Sequence, residues 1–209
     1  DMESRTLLVR SATLETPFLN ADLSGTISGF GEDHPAVNFN AQTRLFNGGR
    51  LAVLQFDNLP PKKPFAEAAL ELSGRTNDLH LNTSYTVHPA VNADLDTKGT
   101  LEGRLQPSSG MLEISALTAQ AGESRLALSG TCTNLWSKSR AADLRGTATF
   151  AVKELLESHR PDLLPRFEPE GKIEADIEIQ AAMQQVRLRA MMNLLEAGLT
   201  LPRIMRKEK

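Results

Sequence analysis

The chain has 209 residues, with 23 Lys and Arg against 26 Asp and Glu, a formal net charge of −3, an aromatic share of 5% and one cysteine. Charges of both signs are interspersed and the few aromatics form no spaced basic and aromatic array, which excludes a nucleic-acid-binding surface. Cys132 alone excludes an internal disulfide and a cysteine-based metal site, and reads as a half-buried small hydrophobe. No run of about 18 apolar residues occurs, so no membrane-crossing helix is visible, and no charged-then-apolar leader opens the chain. The text is strand-like almost from its first residue, and 1–209 is expected to be a single β-rich domain excised from a longer chain.

Strand-like segments follow in chain order at 6–14, 19–29, 36–46, 51–56, 66–74, 79–87, 90–105, 110–119, 124–133, 141–152 and 171–186. The clearest is 90–105, where Val91, Ala93, Leu95, Thr97, Gly99, Leu101, Gly103 and Leu105 alternate with Asn92, Asp94, Asp96, Lys98, Thr100, Glu102 and Arg104. Successive side chains on a strand point to opposite faces, so this alternation predicts a sheet with one apolar and one wet face. Leu79, Leu81, Thr83, Tyr85 and Val87 repeat it on the preceding strand. Turn chemistry punctuates the run at Asn47-Gly48-Gly49, Thr76-Asn77-Asp78, Pro107-Ser108-Ser109-Gly110 and Ala121-Gly122-Glu123, and such short links predict antiparallel neighbours. Two interruptions are longer. Leu59-Pro60-Pro61-Lys62-Lys63-Pro64 removes ladder donors. The stretch 152–166 reads as a helix near residues 152–164, with Val152, Leu155, Leu156, His159 and Leu163 on one face and Pro161 and Pro165 limiting it.

About eleven strands exceed the five or six of a mean sheet, so the sheet is expected to curl, close or split as twist accumulates. Small residues on the apolar face (Ala21, Gly25, Ala93, Gly99, Gly103, Gly130, Gly146) favour curling and leave volume inside the curve. The expected fold is mainly β: a long curved antiparallel sheet, an open groove or incomplete barrel, with the one helix. A sandwich or closed barrel filled from an opposing wall stays equally open on these residues alone.

No residue cluster dictates a reaction. His34, His80, His88 and His159 form no spaced pair of metal ligands, and His80 and His88 lie too far apart along one strand to share an ion. No nucleophile elbow, phosphate-binding loop or zinc-protease helix motif occurs. Asp22, Asp94, Asp96, Asp143, Glu174, Asp176 and Glu178 fall on the solvated face, as solubility and cross-strand charge partners rather than an acid and base pair. Asn82-Thr83-Ser84 matches a glycosylation acceptor too short to carry weight, and the basic tail Arg203, Arg206, Lys207 and Lys209 reads as a solvated end. The chain is therefore expected to be non-enzymatic and to need no cofactor.

Two tokens recur. Ala-Asp-aliphatic appears at Ala21-Asp22-Leu23, Ala93-Asp94-Leu95, Ala142-Asp143-Leu144 and Ala175-Asp176-Ile177. Leu-Ser-Gly appears at Leu23-Ser24-Gly25, Leu72-Ser73-Gly74 and Leu128-Ser129-Gly130. With Val152-Lys153-Glu154-Leu155-Leu156, the link Pro161-Asp162-Leu163-Leu164-Pro165 and the return at Gly171-Lys172-Ile173-Glu174-Ala175-Asp176-Ile177, they resemble the C-terminal portion of the AsmA-like proteins of Gram-negative bacteria, the group that includes TamB-type envelope proteins. The resemblance implies a taco-like β-groove in the periplasm, anchored in the inner membrane by a segment outside this chain, along which phospholipids move toward the outer membrane. Its partners would be phospholipid acyl chains and, through edge strands, other envelope proteins. The family supplies no catalytic motif. Strand parity nominates Leu79, Leu81, Val87, Val91, Leu95, Leu101, Leu126, Leu128, Ile173, Ile177 and Ile179 as groove residues. The rival expectations are a structural or adhesive repetitive β domain with a filled core, and a protein-binding module that pairs through its edge strand.

Overall fold

The computed structural model describes residues 6–16, 19–46, 64–88, 96–159, 168–182, 185–194 and 198–200. Strand makes up 78% of them, so the fold is mainly β. β1 (Thr6–Glu15), β2 (Leu19–Ser28), β3 (Ala36–Phe46), β4 (Pro64–Arg75), β5 (Asp78–Val87), β6 (Thr97–Gln106), β7 (Met111–Ala121), β8 (Ser124–Thr133) and β9 (Ala141–Ala151) form an antiparallel meander. The helix α1 (Val152–His159) and a short β10 (Glu168–Glu170) follow. β11 (Lys172–Ala182) and β12 (Gln185–Asn193) then complete the eleven-stranded sheet, while β13 (Gly198–Thr200) pairs with β10 apart from it.

Short polar links explain the meander. Thr76 and Asn77 join β4 to β5, Pro107 to Gly110 join β6 to β7, and Gly122 with Glu123 joins β7 to β8. Gly110 and Gly122 sit at φ 61° and 58°, the left-handed region that a Cβ disfavours. The expected strand at 51–56, the turn at Asn47-Gly48-Gly49 and residues 90–95 lie outside the described residues.

Where alternation breaks in the sequence, a bulge restores it. On β7, Ile114 and Leu117 are three apart, yet both share the apolar side, because the ladder with β8 shifts register between them. A second shift between Glu102 and Gly103 of β6 accommodates the same extra residue. β1 does likewise between Val9 and Ala12.

Among the described residues, substantial packing runs only between strands adjacent in a sheet and between α1 and β9 or β10, so they form a single layer. Among the described residues no large side chain is fully buried, and Ile114 and Leu128, both 5% exposed, lie on one face. The antiparallel sheet is open, as expected, with β1 and β12 as its edges, but it is uncurled. The space at the glycines expected to leave volume inside a curve is filled by neighbouring strands. A Cβ on Gly25 would stand 2.5 Å from a Phe39 ring carbon and one on Gly99 2.4 Å from Tyr85 Oη, while Gly103, Gly130 and Gly146 are met by the carbonyl oxygens of Glu113, Asp143 and Ala127. Curvature comes from bulges and glycine kinks at defined positions, and glycines filled in this way do not supply it. One segment expectation is also corrected: the span 171–186 holds two strands, β11 and β12. The described part of the helix, Val152–His159, falls within the expected 152–164, and residues 160–164 lie outside the described residues.

Candidate functional site

Direct cross-strand partners share a face, so the register builds the apolar surface row by row. One row crosses the whole sheet as Ala12, Leu23, Ala41, Leu70, Thr83, Leu101, Leu117, Leu128, Gly146, Ile177 and Ala190. The next runs from Val9 through Phe39, Leu81 and Ile114 to Ile179 and Leu188, and flanking rows start at Leu7 and Leu14. Only Thr43, Thr83 and Tyr85 interrupt these four rows with polar atoms, and no charged side chain enters them. Ten strand spacings of about 4.8 Å and four rows about 7 Å apart give an apolar face of about 1,000 Å². This is the footprint of the face rather than its exposed area, since Val37, Leu79, Ile114, Leu128, Ala148 and Ala175 within it are at most 8% exposed; exposed apolar patches beyond a few hundred Å² mark interaction surfaces.

Leu79, Leu81, Val87, Leu101, Leu126, Leu128, Ile173, Ile177 and Ile179 all lie on this face. Leu101, Leu128 and Ile177 share the central row, and Val87 and Ile173 stand at its margin. Val91 and Leu95 lie outside the described residues. The recurring tokens obey the same rule: in Leu72-Ser73-Gly74 and Ala175-Asp176-Ile177 the outer members face the apolar side and the middle one the water. Cys132 sits on the apolar face between Leu112 and Ala142, and partial burial raises its thiol pKa. Tyr85 reaches across Gly99 to donate its hydroxyl to Thr118 O at 2.7 Å, and desolvation raises its pKa.

The opposite face is polar and largely paired with itself. Arg44 faces Glu67 at 3.4 Å and Arg145 faces Glu178 at 3.2 Å, each directly across a ladder. Thr100 and Thr118 share a 2.9 Å hydroxyl contact. Asp78 accepts from the Arg104 guanidinium with both oxygens, and that hydrogen bond holds its carboxyl below the usual range. Asp22, Asp143, Glu174, Asp176 and Glu178 all lie here. Asp96 instead precedes β6 and meets His88, just beyond β5, at 2.9 Å, so His80 and His88 do not share a strand. A depression of about 810 Å³ on this face is lined by Lys98, Thr100, Thr118, Gln120 and Arg125, a set without a nucleophile and base in contact. Among the described residues no group of His, Cys, Asp or Glu is placed to hold a metal ion, and no helix is long and apolar enough to cross a membrane.

One corner of the apolar face is capped. Glu154 of α1 accepts from Glu123 N at 2.7 Å, Ser124 N at 3.1 Å and Ser124 Oγ at 2.7 Å, and Ser124 Oγ accepts from Ala151 N at 3.1 Å. Partial burial works against the Glu154 charge, but these hydrogen bonds, with Lys172 nearby, outweigh it and lower its pKa. The link 134–140 falls between the expected strands 124–133 and 141–152 and carries turn residues at Asn134, Ser137 and Ser139, but nothing in its sequence singles out Trp136. Compared with known proteins, the chain matches no family model, no curated protein and no solved structure.

Proposed function

We propose that this chain is a non-enzymatic lipid-handling module whose apolar sheet face takes phospholipid acyl chains, in the manner of the AsmA-like proteins it resembles. One observation carries the reading: an apolar face of about 1,000 Å² with no opposing layer among the described residues. The part of this face that still meets water calls for an apolar cover, and acyl chains supply one without demanding shape complementarity.

The uncurled sheet sets the strength of that contact. Full burial is worth about 0.8 kcal/mol per methylene, and a one-sided surface covers about half of each, so a sixteen-carbon chain gains roughly 6 kcal/mol before ordering costs. That favours several chains lying side by side and exchanging over one chain held tightly. The absence of charge within the rows leaves nothing to arrest a sliding tail. On this reading the protein works in the periplasm, tethered to the inner membrane, moving phospholipid toward the outer membrane.

The test is native mass spectrometry of the purified chain, followed by organic extraction and lipid analysis. Bound phospholipid that disappears in Leu81→Asp/Leu101→Asp, with the fold retained, supports the reading. A stable, lipid-free wild-type monomer that takes up no phospholipid from micelles overturns it.

A second reading rests on β12, where Val186, Leu188, Met191 and Met192 are each at least 60% exposed along an edge. An open edge offers unpaired N–H and C=O groups to an incoming strand. Crosslinks mapping to β1 or β12 rather than to the rows would favour it.

A further inference from the structure

We infer that the loop between β8 and β9 is a docking point for anionic phospholipid headgroups at a bilayer surface, a role separate from the acyl-chain contacts of the sheet face. Trp136 stands at this loop with 69% of its surface exposed, the largest exposure of any aromatic side chain on the described surface. It is nonetheless fixed in place. Its Nε1 donates to Pro107 O at 2.9 Å, and Leu135 N donates to Gly110 O at 3.0 Å, which ties the loop to the β6–β7 turn. Ser137 N donates to Asn134 O at 2.9 Å and Ser139 N to Ser137 Oγ at 3.0 Å. Asn134 holds φ 56°, the only described non-glycine residue at positive φ.

This arrangement presents an apolar ring whose one donor is already satisfied inside the protein. Moving it into a less polar layer therefore strands no N–H, the cost that normally opposes such transfer. Lys138 and Arg140 flank it, both exposed, and residues 134–140 contain no carboxylate. Among the described residues neither cation has a carboxylate within salt-bridge distance, unlike Arg44, Arg104 and Arg145, though Lys98 and Arg125 on the polar face are likewise without one. Indole rings settle at the headgroup level of bilayers, and basic residues beside them are drawn to anionic lipid. A bilayer surface needs only this ring and charge.

Trp136 is the only tryptophan, so its emission reports this loop alone. The experiment is titration of the whole chain with equimolar phosphatidylglycerol and phosphatidylcholine vesicles. The expected result is a blue shift, quenching by bromine-labelled acyl chains, weakening with added salt, and no response to pure phosphatidylcholine. Each cation near the surface is worth about five-fold in partitioning, so Lys138→Gln/Arg140→Gln should weaken binding about 25-fold with an unchanged circular dichroism spectrum. An intact response in Leu81→Asp/Leu101→Asp supports a separate site, whatever the lipid content of that variant. Unchanged emission at low salt overturns the assignment, even if the protein sediments with the vesicles, because another surface then makes the contact. An equal shift with soluble poly-glutamate, or full binding by the double variant, overturns it as well.

Discussion

Replacing Leu101 by Asp separates a face that is bare from one that is covered. Leu101 lies mid-sheet, opposite Thr83 on one side and Leu117 on the other, and is only partly buried. Complete burial of a leucine is worth about 1.5–3 kcal/mol, so the part covered by its neighbours amounts to about 1 kcal/mol. The poor fit of Asp to a strand adds up to about 1 kcal/mol. The new carboxylate meets solvent rather than an opposing layer, so no unpaired buried charge is created. The expected loss is about 2 kcal/mol. Beneath a packed second layer the same change would leave a buried charge and cost about 4–5 kcal/mol or more. Leu128 provides the internal contrast, since at 5% exposure its neighbours hide it almost completely and Leu128→Asp should cost about 4 kcal/mol. Urea unfolding of delipidated protein, followed by circular dichroism, measures both provided the m-value is unchanged. A Leu101→Asp chain that fails to fold, or loses as much as Leu128→Asp, would refute the single-layer argument.

Three further changes probe the parts that hold this face in place. Glu154→Gln removes the charge that gathers Glu123 N, Ser124 N and Ser124 Oγ, and at this solvent-touched corner should cost about 1–2 kcal/mol; hydrogen exchange should quicken at Glu123 and Ser124 and stay unchanged on β2 and β3. Gly99→Val drives a Cβ to within 2.0 Å of Thr118 O as well as into Tyr85, so a loss of about 3 kcal/mol in urea unfolding is expected. Adding Tyr85→Ala should not recover it, because the backbone clash remains. Asp78 has a folded pKa held below its unfolded value, so its contribution is complete above the unfolded pKa and disappears as pH falls through the folded one. Asp78→Asn should accordingly flatten the fall of stability on acidification below about pH 4; an acid limb as steep as that of the wild type would show that the Arg104 pair contributes nothing.

Much of the fold is legible in the sequence because sheet parity is a local property. Leu79 to Val87 and Thr97 to Leu105 alternate without interruption, and the structure pairs them as the alternation requires. Ile114 and Leu117 break the period, and only knowledge of the bulge opposite Ser129 shows that both belong to the apolar side. The expected curl rests on accumulated twist and on small residues counted on their own strands, whereas what overlies Gly25 and Gly99 is Phe39 and Tyr85 of adjacent strands, a relation that depends on register. β12 was joined to β11 because Ala181, Ala182 and Met183 carry no turn residue. The grip of Glu154 on Ser124 links positions 30 apart, which no local pattern discloses.

A single-layer sheet whose described strands pack only on their neighbours in the sheet resembles a repeat array in its energetics, with stability approximating a sum of neighbour terms. Among the described residues no perpendicular layer ties β2 to β9, so local opening at β1 or β12 transmits little to the centre. An acyl chain lying along one of the apolar rows touches several strands together, so it would contribute the coupling that a second layer supplies in a sandwich. Ligand that binds only the folded state raises stability by mass action, and here the gain would fall on strands otherwise joined only through intermediates. Delipidated protein should therefore unfold over a broad urea range, with β1 and β12 exchanging their amides first. Phospholipid added back should sharpen the transition and protect the edges together with the centre. A transition equally sharp with and without lipid would show that neighbour terms alone make the sheet cooperative, and would remove the structural role assigned to the acyl layer.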